Sequence, residues 1–347
     1  MKRWWVVAAI GLAAVTGIVM PGTARASSAA WYQAYQSGFS GGFDDIAAIA
    51  KNNIWAVGDT STASGKTVYT PFIRHYNGTS WQAVTIPNGS GSTAEWVRAS
   101  AANNVWVGGQ SGTAQVATTV IWRYDGVHWH KIPVPAMTDF WGITVLAPNN
   151  VWAYGTSGTV YYDVFHWNGS KWVGYLSNTA NFIPQGISAS AANNVWVSGY
   201  AWSNGRQVAA AQRWNGSAWH AVSMPHPTIY AGPDVEAFSP SNVWIGYDTT
   251  TKSYALHWDG SQWHVVTASG YVVANTFNVV PDGKGGYWFG PEGILTGSTW
   301  TSEQVPGFSG GFGGVTRIPG TTSFLLNAAV ETGNPGTVKP TIFRFDL

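Results

Sequence analysis

Apolar and polar positions alternate along most of this chain in short runs, and clusters of Gly, Asn, Asp and Ser cut the runs apart. A period of two residues marks half-buried β-strands. One run returns throughout. It reads Asn103-Asn104-Val105-Trp106-Val107-Gly108-Gly109, and again Asn52-Asn53-Ile54-Trp55-Ala56-Val57-Gly58, Asn149-Asn150-Val151-Trp152-Ala153-Tyr154-Gly155 and Asn193-Asn194-Val195-Trp196-Val197-Ser198-Gly199. Looser copies are Ser241-Asn242-Val243-Trp244-Ile245-Gly246 and Gly285-Gly286-Tyr287-Trp288-Phe289-Gly290. The key aromatic falls at 55, 106, 152, 196, 244 and 288, and once more at Phe324, with intervals of 51, 46, 44, 48, 44 and 36. A period of about 45 residues, rich in Trp, Val and Gly-bounded strands, predicts the blades of a β-propeller.

Each repeat predicts four antiparallel strands. The first is an apolar-rich run such as Trp96–Ala101, and the second is the Asn-Val-Trp segment. The third ends in an aromatic, as in Phe72–Tyr76, Val120–Tyr124 and Ala255–Trp258. Asn77-Gly78, Asp125-Gly126, Asn168-Gly169, Asn215-Gly216 or Asp259-Gly260 follows, and reads as a two-residue hairpin turn. The same turn reading accounts for the glycosylation-type triplets that begin at Asn77, Asn168 and Asn215. A fourth strand then opens on Trp81, Trp129, Trp172, Trp219 or Trp263. The last residues, Thr341–Leu347, match a third strand and stop there, while Ala30–Tyr35 resembles a fourth strand with its leading Trp31. The N-terminal segment is therefore expected to complete the last blade and close the ring. The count is seven blades, or six if 307–347 is irregular. The loops from strand four to strand one, and from two to three, share one face. The long stretches Asp59–Thr70, Gln110–Thr118, Tyr200–Gln207, Asp248–Ser253 and Glu331–Pro340 lie there and are expected to carry function.

The first residues break the pattern. Lys2-Arg3, the apolar run Trp4–Met20 and Ala24-Arg25-Ala26 read as a secretory signal with its cleavage site, leaving one domain over 27–347. A retained membrane anchor is the alternative. Removal of 1–26 takes Lys2, Arg3 and Arg25 from the 17 basic residues, so 14 face 16 acidic ones and the net charge is −2. With no basic patch, phosphate-driven nucleic-acid binding is not expected. No second run is long enough to span a bilayer. The absence of Cys excludes disulfides, thiol catalysis and Cys-type zinc sites.

Of the 22 Trp, repeat positions absorb 16 and the leader two, which leaves Trp96, Trp122, Trp141 and Trp202. Trp96, Trp141 and Trp202 fall at or near the loop face and read as exposed platforms for sugars or proteins. Asp44, Asp45, Glu95, Asp139, Asp234 and Glu236 sit near the starts of first strands and are placed to ring a channel mouth. Asp59 and Asp248 follow second strands on that face. Such carboxylates suit a glycosidase pair, a cation, or ordinary capping of strand ends. Arg98 is a cation on an inner strand, with Glu95 or Glu236 as expected partners. His75, His166 and His257 share one strand-three position with Arg123, Arg213 and Arg344. That interchange points to structural hydrogen bonding rather than metal ligation, and no zinc motif appears. No cofactor is implied. The Asp-box of sialidase-like propellers is not matched, since Asp259 and Gly260 are adjacent.

The leader, the absence of Cys and the Asn-Asn-Val-Trp / Trp-Asn-Gly-Ser-x-Trp blades together resemble the dispase autolysis-inducing proteins, secreted propellers of filamentous actinobacteria. The resemblance covers the whole mature chain and rests on repeat style, not on an active-site motif. It implies a secreted, non-catalytic seven-bladed propeller, read here as a monomer. Its partners would be a thermolysin-like metalloprotease, driven into self-digestion, and a secreted transglutaminase with this chain as glutamine donor. Gln33 and Gln36, near the mature N-terminus, are the candidate cross-linking residues, since chain ends open easily. Two other functions remain open on the residues alone. One is a glycan-binding propeller using Trp96, Trp141 and Trp202. The other is a glycoside hydrolase or lyase using Asp45, Asp139 and Asp234.

Overall fold

The computed structural model describes residues 30–346, apart from 62–68, 114–115, 136–137, 158–159, 176–181, 226–230, 249–252, 267–278, 290–292, 304, 306–311 and 332–337. The leader over 1–26 lies outside the described residues, as do parts of the long stretches after Asp59, Asp248 and Glu331. The described residues form seven four-stranded antiparallel sheets, a seven-bladed β-propeller. The innermost strands, in order, are Gly42–Ala50, Trp96–Ala101, Thr138–Ala147, Phe182–Ala191, Ala231–Ser239, Val279–Pro281 and Phe312–Arg317. These define blades 1 to 7.

The ring closes through its ends. Tyr32–Gln36 pairs antiparallel with Val338–Asp346, joining Tyr32 to Arg344 and Gln36 to Thr341 in register, as the outermost strand of blade 7. Trp31 is buried there, 5.2 Å from Trp288 and 5.3 Å from Phe345 between ring centroids.

Seven apolar clusters fill the seams between neighbouring blades. Trp55 packs with Val97, Val105 and Val107 of blade 2, for example, and Trp196 with Val235, Val243 and Ile245 of blade 5. The repeated Asn-x-Trp unit has a physical cause. The Trp is buried, and its indole N–H must find an acceptor. The Asn two residues earlier supplies it, at 2.7 Å from Asn53 to Trp55 and 2.8 Å from Asn104 to Trp106. The same oxygen serves strand three: His75 lies 2.9 Å from Asn53, His166 2.9 Å from Asn150, and Arg123 Nε donates to Asn104 at 2.8 Å. His75, His166 and Arg123 interchange because each meets that acceptor; Arg213 instead lies over the Trp196 ring at 5.6 Å, and Arg344 Nε donates to Asp346 at 2.9 Å.

The Gly three residues after the Trp has a cause too. A Cβ on Gly58, Gly155 or Gly199 would lie 2.0, 1.9 or 2.1 Å from a carbonyl oxygen of the innermost strand. That strand presses in because it bulges there, between Phe43 and Asp45, Phe140 and Gly142, and Pro184 and Gly186.

Two expectations need correction. The Asn/Asp-Gly turns are four-residue turns, not two-residue hairpins. Tyr76 pairs with Trp81, and Asn77 Oδ1 accepts the N–H groups of Thr79 and Ser80 at 2.9 and 3.0 Å. The side chain replaces a backbone acceptor, so only the Gly takes a positive φ, +99° at Gly78. Second, Tyr200–Gln207 is largely strand. Strands Asn194–Ser203 and Arg206–Trp214 run up to Asn204-Gly205, whose φ values of +50° and +73° make this a two-residue turn. Gln110–Thr118 likewise extends as strand to Thr113 and from Val116.

Candidate functional site: the channel mouth

The starts of innermost strands and the ends of second strands meet at one end of the ring, because each pair is antiparallel: Gly42 faces Asp59, and Asp139 faces Thr156. The bulges matter here. They insert Asp44 and Trp141 as extra residues, re-aimed relative to the ladder. Asp44 keeps accessible surface, yet the protein around it screens its carboxyl from bulk water. This enclosure, with Asp59, Glu95 and Asp45 around it, pushes its carboxyl far above the ordinary range. Asp59, hydrogen-bonded to it, is also raised by enclosure. Enclosure, Asp59 and Asp139 raise Glu95 as well, against a hydrogen bond from Thr93 Oγ1 at 2.9 Å. Asp44, Asp59, Glu95 and Asp139 thus share one electrostatic neighbourhood across blades 1 to 3.

Deeper in the channel, Arg98 forms an ion pair with Asp45 of the neighbouring blade. Enclosure works against its charge, yet Asp45, Glu236 and Asp234 outweigh it and hold the guanidinium protonated. Glu236 belongs to blade 5, across the ring. Burial and then Asp234 push its carboxyl up to about 8, despite Arg98 and the hydrogen bond from Ser188 Oγ at 3.3 Å. Of the two expected partners of Arg98, Glu236 interacts with it through the channel, and the direct contact goes to Asp45 instead of Glu95.

Several of these groups also stitch blades together. Asp45 Oδ2 accepts the Val97 N–H at 2.9 Å, and Ser188 Oγ accepts that of Ala237 at 3.0 Å. Thr119 Oγ1 accepts the Phe140 N–H at 2.8 Å and donates to Asp139 at 3.3 Å. Asp139 also accepts from Gln110 and from Trp141 Nε1, at 3.2 and 3.0 Å. Asp234 bonds the N–H of Val235 at 2.9 Å, as Asp45 does that of Ile46.

The aromatic candidates separate. Trp141 is 37% exposed and Trp202 49%, both on the mouth face. Trp96 is not a platform. It is buried in the seam between blades 2 and 3, flat over Gly108, where a Cβ would lie 1.9 Å from its ring. Phe39 was not anticipated. It is 61% exposed in the turn that leads into blade 1, edge-on to Phe72 at 6.3 Å. The only signal for it was a large aromatic in the run Ser37-Gly38-Phe39-Ser40-Gly41, with no strand pattern to bury it. Asp248 ends the second strand of blade 5, and its side chain lies outside the description. Gln33 is exposed on the closing strand. Gln36 is half-buried and donates to Thr341 Oγ1 at 3.2 Å.

Among the described residues, no group of three or more His, Asp or Glu is placed to hold a metal ion, and no helix is long and apolar enough to cross a membrane.

No family model and no curated protein matches the sequence. Solved structures do. YCF48 from Cyanidioschyzon merolae is 13% identical, with a TM-score of 0.56 over 91% of this chain and 99% of its own. YCF48 bound to D1 peptide is 12% identical, with a TM-score of 0.53 over 92% and 96%. SapL1 lectin in complex with alpha methyl fucoside is 14% identical, with a TM-score of 0.45 over 87% and 96%. At these identities the likeness to YCF48 shows the propeller fold alone, and the lectin likeness carries no argument.

Proposed function

We propose that this chain is a secreted, non-catalytic propeller that binds extracellular protein through its mouth face. We further propose that the partner is a thermolysin-like metalloprotease whose self-digestion it promotes. One grouping supports the binding reading: Phe39, Trp141 and Trp202 stand exposed on the same face as the carboxylates of Asp44, Asp59, Glu95 and Asp139. Exposed aromatics supply anchors, and a partner Lys or Arg would offset the mutual repulsion that raises these clustered carboxyls. The peptide complex of YCF48 supports the idea that this architecture can present a peptide-binding surface. Catalysis is less well supported, because Asp45, Asp139 and Asp234 already serve backbone and side-chain donors.

The protease reading comes from the sequence resemblance. If the propeller binds an open or partly unfolded protease, it raises the population that sibling molecules can cut. The role as transglutaminase substrate would fall to Gln33, exposed on an outermost strand, ahead of the tethered Gln36. The test is to incubate the purified protein with a thermolysin-like protease and follow the protease bands. Faster loss of protease, abolished by Phe39→Ala with Trp202→Ala, supports the proposal. Unchanged loss at every ratio removes it.

A glycan reading draws on one observation, the Trp141 indole held to Asp139 with part of its face exposed. A blank glycan array would dispose of it.

A further inference from the structure

The five Asx turns of the outer hairpins are near copies, and one differs in its chemistry. In blade 4, Asn215 Oδ1 accepts three hydrogen bonds of 2.9 Å, from Ser217 N, Ser217 Oγ and Ala218 N. Its Nδ2 lies 2.8 Å from His220 Nε2. The next residue is Gly216, exposed, at φ +101°. The matching turn of blade 3 has the same donors on Asn168 Oδ1: Ser170 N at 3.0 Å, Ser170 Oγ at 2.9 Å and Lys171 N at 3.0 Å. There, however, Val173 stands where blade 4 has His220. In blades 2 and 5 the turn residue is already aspartate, and Asp125 and Asp259 each hold His130 or His264 at 2.6 Å.

We propose that Asn215 is a self-modification site, at which the Gly216 nitrogen displaces the side-chain amine as ammonia, water then yields aspartate, and His220 carries the proton. Oxyanion donors and a histidine both meet the Asn215 side-chain amide, and the nucleophile is its neighbour in the chain. Three donors converge on Oδ1, where negative charge develops when Cγ is attacked. The nucleophile is the following amide nitrogen, and Gly places no Cβ in its path. His220 contacts the leaving nitrogen and can move a proton at that atom.

The bonds balance. The Gly216 N–Cγ bond forms and the Cγ–Nδ2 bond breaks. The proton from Gly216 N ends on the departing ammonia. Water then adds its hydroxyl to Cγ and a proton to Gly216 N, restoring the peptide. The product has a place prepared for it: an aspartate paired with the histidine five residues on is the arrangement of blades 2 and 5.

The molecule carries its own control, since Asn168 differs from Asn215 chiefly in lacking the histidine. Hold the intact protein at neutral pH and 37 °C, and measure aspartate at both positions by peptide mass mapping. Conversion at Asn215 should outrun that at Asn168 by at least roughly tenfold, under the hundredfold or more that a positioned proton-transfer group gives in an enzyme site. His220→Ala should bring Asn215 down to the Asn168 rate, and Val173→His should raise Asn168. Equal rates in the parent protein, a faster Asn215 in His220→Ala, or no gain in Val173→His would overturn the proposal. It stands apart from the mouth face, so its failure leaves the binding reading untouched.

Discussion

Asp44 and Asp59 hydrogen-bond through their side chains at the mouth end of blade 1. Two enclosed carboxyls this close hold one proton between them, because a second charge meets both poor solvation and repulsion.

A pH dependence follows. Asp44, Asp59 and Glu236 all have raised values in the folded chain. They keep protons that the unfolded chain releases near pH 4. The stability they contribute is fully present below that pH and is lost as pH rises, for Glu236 through about 8. Asp44→Asn and Glu236→Gln should therefore flatten the fall in Tm between pH 5 and 9. Curves that stay parallel to the parent's would contradict this.

Arg98 is the cation set among Asp45, Glu236 and Asp234. Its side chain is still 45% accessible to channel water, so the cost of removing it is discounted from that of a dry ion pair. Arg98→Met should destabilise by about 1–3 kcal/mol in urea unfolding, more at pH 8 than at pH 5. Glu236→Gln added to it should restore part of the loss. No recovery in the double variant would show that the channel charges are not coupled.

Asn104 is fully buried and holds Trp106, Arg123 and Ser100 at 2.8 Å each. Asn104→Leu keeps the volume but strands an indole N–H and a guanidinium N–H. The expected loss is about 2–4 kcal/mol. The exposed Asn103→Ala, by contrast, should stay within about 0.5 kcal/mol of the parent. Equal effects of the two would mean that the acceptor role has been misassigned.

Trp31 tests the closure. Trp31→Ala should cost about 3–5 kcal/mol through the cavity it leaves beside Trp288 and Phe345. Hydrogen exchange should speed up in blade 7 first. Uniform acceleration in all blades would argue against a local seam.

The fold was legible because each blade restates it. A Trp with an Asn two residues before it and a Gly three after it encodes indole satisfaction, seam packing and the press of the innermost strand at once. Closure was legible because Trp31 leads a strand-four pattern with no partner nearby in sequence. The site was less so. A bulge adds one residue to one strand and turns its side chain elsewhere, which a period of two cannot register, so Asp44 and Asp45 read alike although they do different things. Trp96 misled because a Trp outside the repeat suggested exposure. The compensating change was Gly108, which vacates the space that Trp96 fills. Phe39 lies between strands, where no periodicity constrains it.

The partners in the closing pair are far apart along the chain: Gln36 bonds Thr341 across 305 positions. During synthesis, the stretch around Gln36 leaves the ribosome long before its mate exists. Blades 1 to 6 can assemble in order as they emerge, each against its predecessor. Blade 7 waits, since the loop to be closed runs across those 305 positions. Ring maturation is thus tied to synthesis of the Val338–Asp346 strand, and a chain released before it presents its unzipped edge to proteases and chaperones.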